Sequence, residues 1–218
     1  DLTSLGEARD RLAVVAEMTT SPEGAVTAFD VYRAVVRNQA KLAYDSVAAW
    51  LDGTGEAPAD VAAQPAVADQ LRLQARVAQA MKDLRQRRGA LTLETTEARA
   101  VFDGDVLADL RPDEKNPAKE LIEDFMIATN VATAEFLERH GFPSMRRVLR
   151  TPERWDRIVA LAAVLGERLP GEPSAPALQQ FLARRRQADP ARFADVSLSV
   201  VKLLGSGEYA VELPGGSV

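Results

Sequence analysis

The sequence predicts an α+β fold, mainly helical with short antiparallel hairpins. Three observations carry that expectation: a long apolar run at helical spacing from Val67 to Leu84, a second one after Asn116-Pro117, and hairpin turn chemistry at Ser21-Pro22-Glu23-Gly24 and Asp103-Gly104. Taken in order, Arg11 to Met18 and Ala25 to Val36 are rich in β-branched residues and flank the first turn, where Pro presets φ and Gly accepts positive φ. The second arm breaks strict alternation, which predicts a half-buried strand with a bulge. From Ala40 the period changes to helical, with Leu42, Val47, Trp50 and Leu51 preceding a stop at Asp52-Gly53.

Thr54 to Ala63 is Gly-, Ala- and Pro-rich and reads as a loop, and the long helix that follows runs to Arg88-Gly89. Its arginines Arg85, Arg87 and Arg88 suit the negative end of the helix dipole. Leu91 to Thr95 and Ala98 to Phe102 read as strands, and Asp103-Gly104 before Val106-Leu107 closes a hairpin. Asn116-Pro117 caps a helix whose apolar face continues to His140-Gly141, about 36 Å at 1.5 Å per residue. Thr151-Pro152 predicts another helix start, with that helix ending at Gly166. Leu178, Phe181 and Leu182 mark a further helix, Pro190 starts the next, and Ala210 to Leu213 reads as a strand after Gly205-Ser206-Gly207.

Composition bounds the function. With 218 residues and no Cys, there is no disulfide framework, thiolate metal site or Cys nucleophile, and a reducing, cytoplasmic compartment is expected. The one His, His140, excludes zinc sites built from several histidines, so any metal would be oxygen-ligated. The apolar stretches fall far short of the ~18 to 20 residues that span a bilayer, and Asp1 to Ser4 does not open a signal peptide, so no membrane partner is expected. A formal charge of -5 exerts no global pull on nucleic acid.

On the second long helix, Glu120, Glu123, Asp124 and Asn130 place carboxylates and an amide where they either line a groove or form a solvated polar stripe. Asp103 and Asp105 read as turn chemistry, and His140 as a helix-end donor. The arginine runs at 146, 147 and 150 and at 184 to 186 read as solvated faces or phosphate holders. Gly205-Ser206-Gly207 lacks the lysine of a phosphate loop and reads as a tight turn. Trp50, Trp155, Phe125 and Phe136 are expected in the core.

Four segments in order, Tyr32 to Asp45 (YRAVVRNQAKLAYD), Gly89 to Glu94 (GALTLE), Glu120 to Asn130 (ELIEDFMIATN) and Ser197 to Tyr209, resemble the catalytic RNB domain of the ribonuclease II family of exoribonucleases. The resemblance covers nearly the whole chain. It implies hydrolysis of single-stranded RNA from the 3′ end to nucleoside monophosphates, with magnesium held by an aspartate cluster activating water. That cluster would match upstream of residue 1, and the family's catalytic arginine motif downstream of Val218. Residues 1–218 are thus expected to be a partial RNB catalytic domain with no catalytic and no metal residue of its own, inactive alone.

What the resemblance carries to this chain is substrate binding. Tyr44 matches a tyrosine at the scissile end of the RNA, and Glu123 matches a glutamate on the 3′-terminal ribose, where a carboxylate accepts hydroxyl donors and tells RNA from DNA. Leu93 occupies the position where well-known relatives place a stacking aromatic, so either it offers weaker apolar contact or the clamp on the last nucleotide differs. The cold-shock and S1-like barrels that flank many relatives have no counterpart here. Two other expectations compete: a non-catalytic RNA-binding relative, and a helical protein-interaction module.

Overall fold

A computed structural model of the protein describes residues 4–93, 98–112, 116–149, 152 and 154–215. The fold is helical with short strand pairs, as the α+β expectation requires. Strands β1 (Asp10–Thr20) and β2 (Val26–Arg37) form the first hairpin, antiparallel from Asp10 opposite Arg37 to Thr19 opposite Ala28. Thr20 then faces Val26, which leaves Thr27 as the extra residue of a bulge in the second arm. The turn requires glycine at Gly24 twice over. Its φ is +88°, and a Cβ there would stand 2.3 Å from the Ala80 carbonyl carbon.

Helix α1 spans Tyr44–Leu51, four residues later than the expected start at Ala40. Residues 40–43 are not helical: Ala43 occupies the cap position with extended backbone, and Leu42 packs against the Val47, Ala48 and Ala118 cluster from outside the helix. The stretch expected to be a loop contains one turn of helix, α2 (Ala59–Ala62), which follows Pro58 and is anchored by the buried Val61. Local composition missed it because one buried apolar side chain is too little to show a period. Helix α3 (Pro65–Arg87) then runs to a glycine stop, where Gly89 N–H bonds the Gln86 carbonyl and Ala90 N–H reaches back to Arg85.

The strand expected at 91–95 is not formed over Leu91 to Leu93; Glu94 and Thr95 lie outside the described residues. Leu91 and Leu93 instead pack on a helical core, and a side chain satisfies the Thr92 amide. The next hairpin holds: β3 (Ala98–Asp103) and β4 (Val106–Pro112) pair antiparallel, with Asp103 opposite Val106 across the Gly104-Asp105 turn. Helix α4 (Pro117–Arg139) opens on Asn116, whose side chain accepts the Lys119 N–H at 2.9 Å. The remaining elements are β5 (Ser144–Val148), α5 (Trp155–Val164), α6 (Ala175–Ala188), α7 (Pro190–Leu204) and β6 (Glu208–Glu212), which pairs with β5. Thr151 lies outside the described residues; Pro152 precedes α5 rather than opening it, and Arg154 stands before the helix without a side-chain cap.

The chain divides into two compact units, one of residues 1–84, 115–144 and 213–216, the other of residues 85–114, 145–212 and 217–218. In the first, Val47 and Ala48 of α1 pack on Ala118 of α4. The second has the larger core, where α5, α6 and α7 bury Ile158, Phe181, Leu182 and Val200 completely. Burial of each such side chain contributes about 1.5–3 kcal/mol before entropy is counted. Trp155 joins this core as expected and donates its indole N–H to the Pro170 carbonyl at 3.0 Å. Trp50, Phe125 and Phe136 are only half-buried, so the core expectation fails for them; Trp50 lies beneath the Arg72 guanidinium at 4.7 Å. Among the described residues no helix is long and apolar enough to cross a membrane.

Candidate functional site

The N-terminal ends of α1 and α4 are tied together. Asn116, which caps α4, donates its side-chain amide to Asp45 Oδ1 at 3.2 Å, and one turn further along α1 the Val47 and Ala48 side chains pack on Ala118. This join positions Tyr44 at the first residue of α1, with about half of its surface (49%) exposed. Glu123 stands on the second turn of α4, also exposed. Both residues sit in the first unit and leave their polar ends available to a ligand.

Helical geometry separates the polar residues of α4. Glu123 and Asn130 are seven residues apart, nearly two full turns, and both face solvent. Glu120 is committed to an ion pair with Lys82 Nζ at 2.8 Å, and Asp124 is buried at 3% exposure. The four therefore do not line one groove, and the solvated-stripe reading fits only Glu123 and Asn130. Helical spacing decides this: Leu121 and Asp124, three residues apart, share the buried face of α4.

Leu93 belongs to the second unit. It forms part of the wall of a cavity of about 290 Å³ that Arg147, Val148, Leu149, Val201, Leu204, Gly205 and Gly207 complete. The lining is mostly apolar, with the exposed Arg147 as its cation. Leu93 packs on the helical core, and the residue before it is held by hydrogen bonds. Thr92 N–H donates to Gln179 Oε1 at 2.7 Å, Gln179 Nε2 donates to Thr92 Oγ1 at 3.1 Å, and Gln86 Nε2 reaches the same hydroxyl at 3.2 Å. Sequence reasoning missed Gln86 and Gln179, since a glutamine on an amphipathic helix looks like any solvated residue, and 87 positions separate Gln179 from Thr92.

The other candidates resolve into structure. His140 ends α4 with its Nδ1 2.8 Å from the Phe136 carbonyl and its ring 4.2 Å from the Phe136 ring. Arg184 pairs with Glu167 and Arg146 with Glu212, each at 2.5 Å, while Arg150 lies outside the described residues. Gly205 turns the chain from α7 toward β6 with φ +86°. Among the described residues no three His, Asp or Glu side chains are grouped to hold a metal ion, so the donors present do not fit the magnesium that the resemblance implies.

Comparison with known proteins places this geometry. The profile of the RNB domain matches residues 1–215. Ribonuclease R of Vibrio parahaemolyticus is 34% identical over 152 residues, which is 69% of this chain and 18% of that protein. Ribonuclease R of Escherichia coli (strain K12) is 31% identical over 173 residues, 78% of this chain and 21% of that protein. The chain thus spans about a fifth of the length of these curated relatives. Among solved structures, the apo form of Mycoplasma genitalium RNase R superposes with a TM-score of 0.80 at 19% identity, covering 96% of this chain and 33% of that one. The same values hold for that protein in complex with ribose methylated single-stranded RNA, and these two likenesses concern the fold alone. A profile match over almost every residue, borne by relatives that share a third of their aligned positions, establishes that the chain belongs to the RNB domain family.

Proposed function

We propose that this chain is a portion of a cytoplasmic 3′-to-5′ exoribonuclease, and that the whole protein hydrolyses single-stranded RNA to nucleoside monophosphates by metal-assisted cleavage of phosphodiester bonds. The observation that carries the reading is the RNB match over residues 1–215, within which Tyr44 and Glu123 stand exposed on two joined helices. In this proposal the chain holds the RNA end. The Glu123 carboxylate accepts the hydroxyl protons of the terminal ribose, a contact that DNA without a 2′-hydroxyl makes only in part. Tyr44 offers an aromatic face and a hydroxyl beside the scissile end, and Leu93 an apolar contact to the last nucleotide.

Magnesium, when bound, would stabilise charge on the phosphate and activate water. Among the described residues no carboxylates are grouped to hold it, and the role proposed for Tyr44, Glu123 and Leu93 is binding and orientation of the RNA end. The partial-domain reading of residues 1–218 belongs to the same proposal.

Fluorescence anisotropy with a 3′-hydroxyl single-stranded RNA and the DNA of the same sequence tests it. The wild-type chain is expected to prefer the RNA, and Glu123→Ala to lose about tenfold of that preference, the worth of a hydrogen bond to a charged acceptor. Tyr44→Ala is expected to weaken RNA binding. Equal discrimination before and after the Glu123 substitution overturns its assignment. No RNA binding at all, with Tyr44→Ala inert, favours a protein-interaction module.

A further inference from the structure

We infer that Gln179 is a positioning residue for the RNA end, acting through Thr92 on Leu93; this rests on the reading of Leu93 as an RNA contact. Among the described residues, Leu91 to Leu93 are in no strand, so Leu93 is not held by a sheet there and packs on the helical core instead. A backbone in that state needs partners for its polar groups when half-buried, and side chains supply them here.

Gln179 meets Thr92 at two points, accepting the backbone N–H at 2.7 Å through Oε1 and donating from Nε2 to the hydroxyl at 3.1 Å. Gln86 donates to that hydroxyl at 3.2 Å from the last turn of α3. Thr92 is therefore fixed from two helices at once. Gln179 is itself fixed, because its neighbours Leu178, Phe181 and Leu182 bury the inner face of α6. The first turn of α6 also sits close to the end of α3: a Cβ at Gly89 would stand 3.3 Å from Pro176 Cγ. The residue after Thr92 is Leu93, in the wall of the cavity that Arg147 and Leu204 also line. An amide group 87 residues away thereby sets where the apolar side chain stands.

The test uses the 218-residue chain as wild type, Gln179→Ala, Gln179→Glu, Leu93→Ala and the Gln179→Ala/Leu93→Ala double variant. Amide hydrogen exchange by NMR and anisotropy with the 3′-hydroxyl RNA are read on each. Gln179→Ala is expected to speed exchange at Thr92 about tenfold or more while Val200, deep in the core, stays protected. Gln179→Glu should restore protection, since a carboxylate oxygen still accepts the N–H and the Thr92 hydroxyl can turn to donate. RNA affinity should fall by the same factor in Gln179→Ala and Leu93→Ala, and no further in the double variant.

Unchanged exchange at Thr92 overturns the inference, and so do losses of affinity that multiply in the double variant. A Leu93→Ala chain that binds RNA like wild type, with Thr92 exchange still answering to Gln179, instead overturns the reading of Leu93 on which the inference stands.

Discussion

The Tyr32 hydroxyl donates to Glu17 Oε2 at 2.8 Å across the β1–β2 hairpin. That hydrogen bond, with smaller contributions from desolvation and from the charges of Glu17 and Asp30, raises the phenol above its ordinary range. The sign follows: the bond is fully present below the ordinary tyrosine pKa and is lost as pH rises through the raised one. Alkaline titration of phenolate absorbance, taken as the difference between wild type and Tyr32→Phe, should place Tyr32 above a free tyrosine, and Glu17→Gln should bring it down. A Tyr32 that ionises like a free tyrosine refutes the bond. At the candidate site, the residue types were legible in the sequence because the motifs around Tyr44, Glu123 and Leu93 are contiguous. Their exposure was not: Glu123 and Asp124 are neighbours in sequence, yet one faces solvent and the other is buried.

At the scale of elements, the connections carry the prediction. Gly24→Ala puts a side chain into positive φ and against the backbone of Ala80 and Met81, so it should cost about 2–4 kcal/mol, read as a lower midpoint in urea denaturation. Asn116→Ala should cost about 1 kcal/mol through the lost cap of α4 and also sever the link to Asp45, read as a lower midpoint in urea denaturation. Helix ends were the most legible features, since Gly89, Gly141 and Gly166 each follow a helix and close it with the same backward hydrogen bonds. Leu91 to Leu93 misled because alternating apolar residues signal a half-buried strand whether the surface they meet is a sheet or, as here, a bundle of helices. A single turn such as α2 leaves no periodic trace at all.

At the scale of the molecule, the charge of -5 is unevenly held. The first unit carries 11 Lys and Arg against 17 Asp and Glu, the second 16 against 15. Long-range attraction to phosphate is therefore weak in the first unit, and the RNA contacts proposed for Tyr44 and Glu123 would be short-range stacking and hydroxyl contacts. RNA affinity of the isolated chain should accordingly fall only shallowly as salt rises, a slope that anisotropy titrations at several ionic strengths measure. The chain alone, given magnesium and single-stranded RNA, should release no nucleoside monophosphate by chromatography, because the resemblance implies that the metal-holding aspartates and the catalytic arginine match outside residues 1–218. Release of monophosphate would overturn that expectation and place the catalytic carboxylates within these residues.

The sequence by itself determined the α+β class, the two hairpins with their turns, most helix boundaries and the RNB membership, all of which depend on local periodicity, turn chemistry or contiguous motifs. Tertiary structure alone decided which carboxylates of α4 face solvent, where Leu93 stands, and that Gln179 meets Thr92. Those outcomes depend on partners brought together from distant positions, such as Lys82 with Glu120 and Gln179 with Thr92, and no local pattern encodes a partner that only the fold supplies.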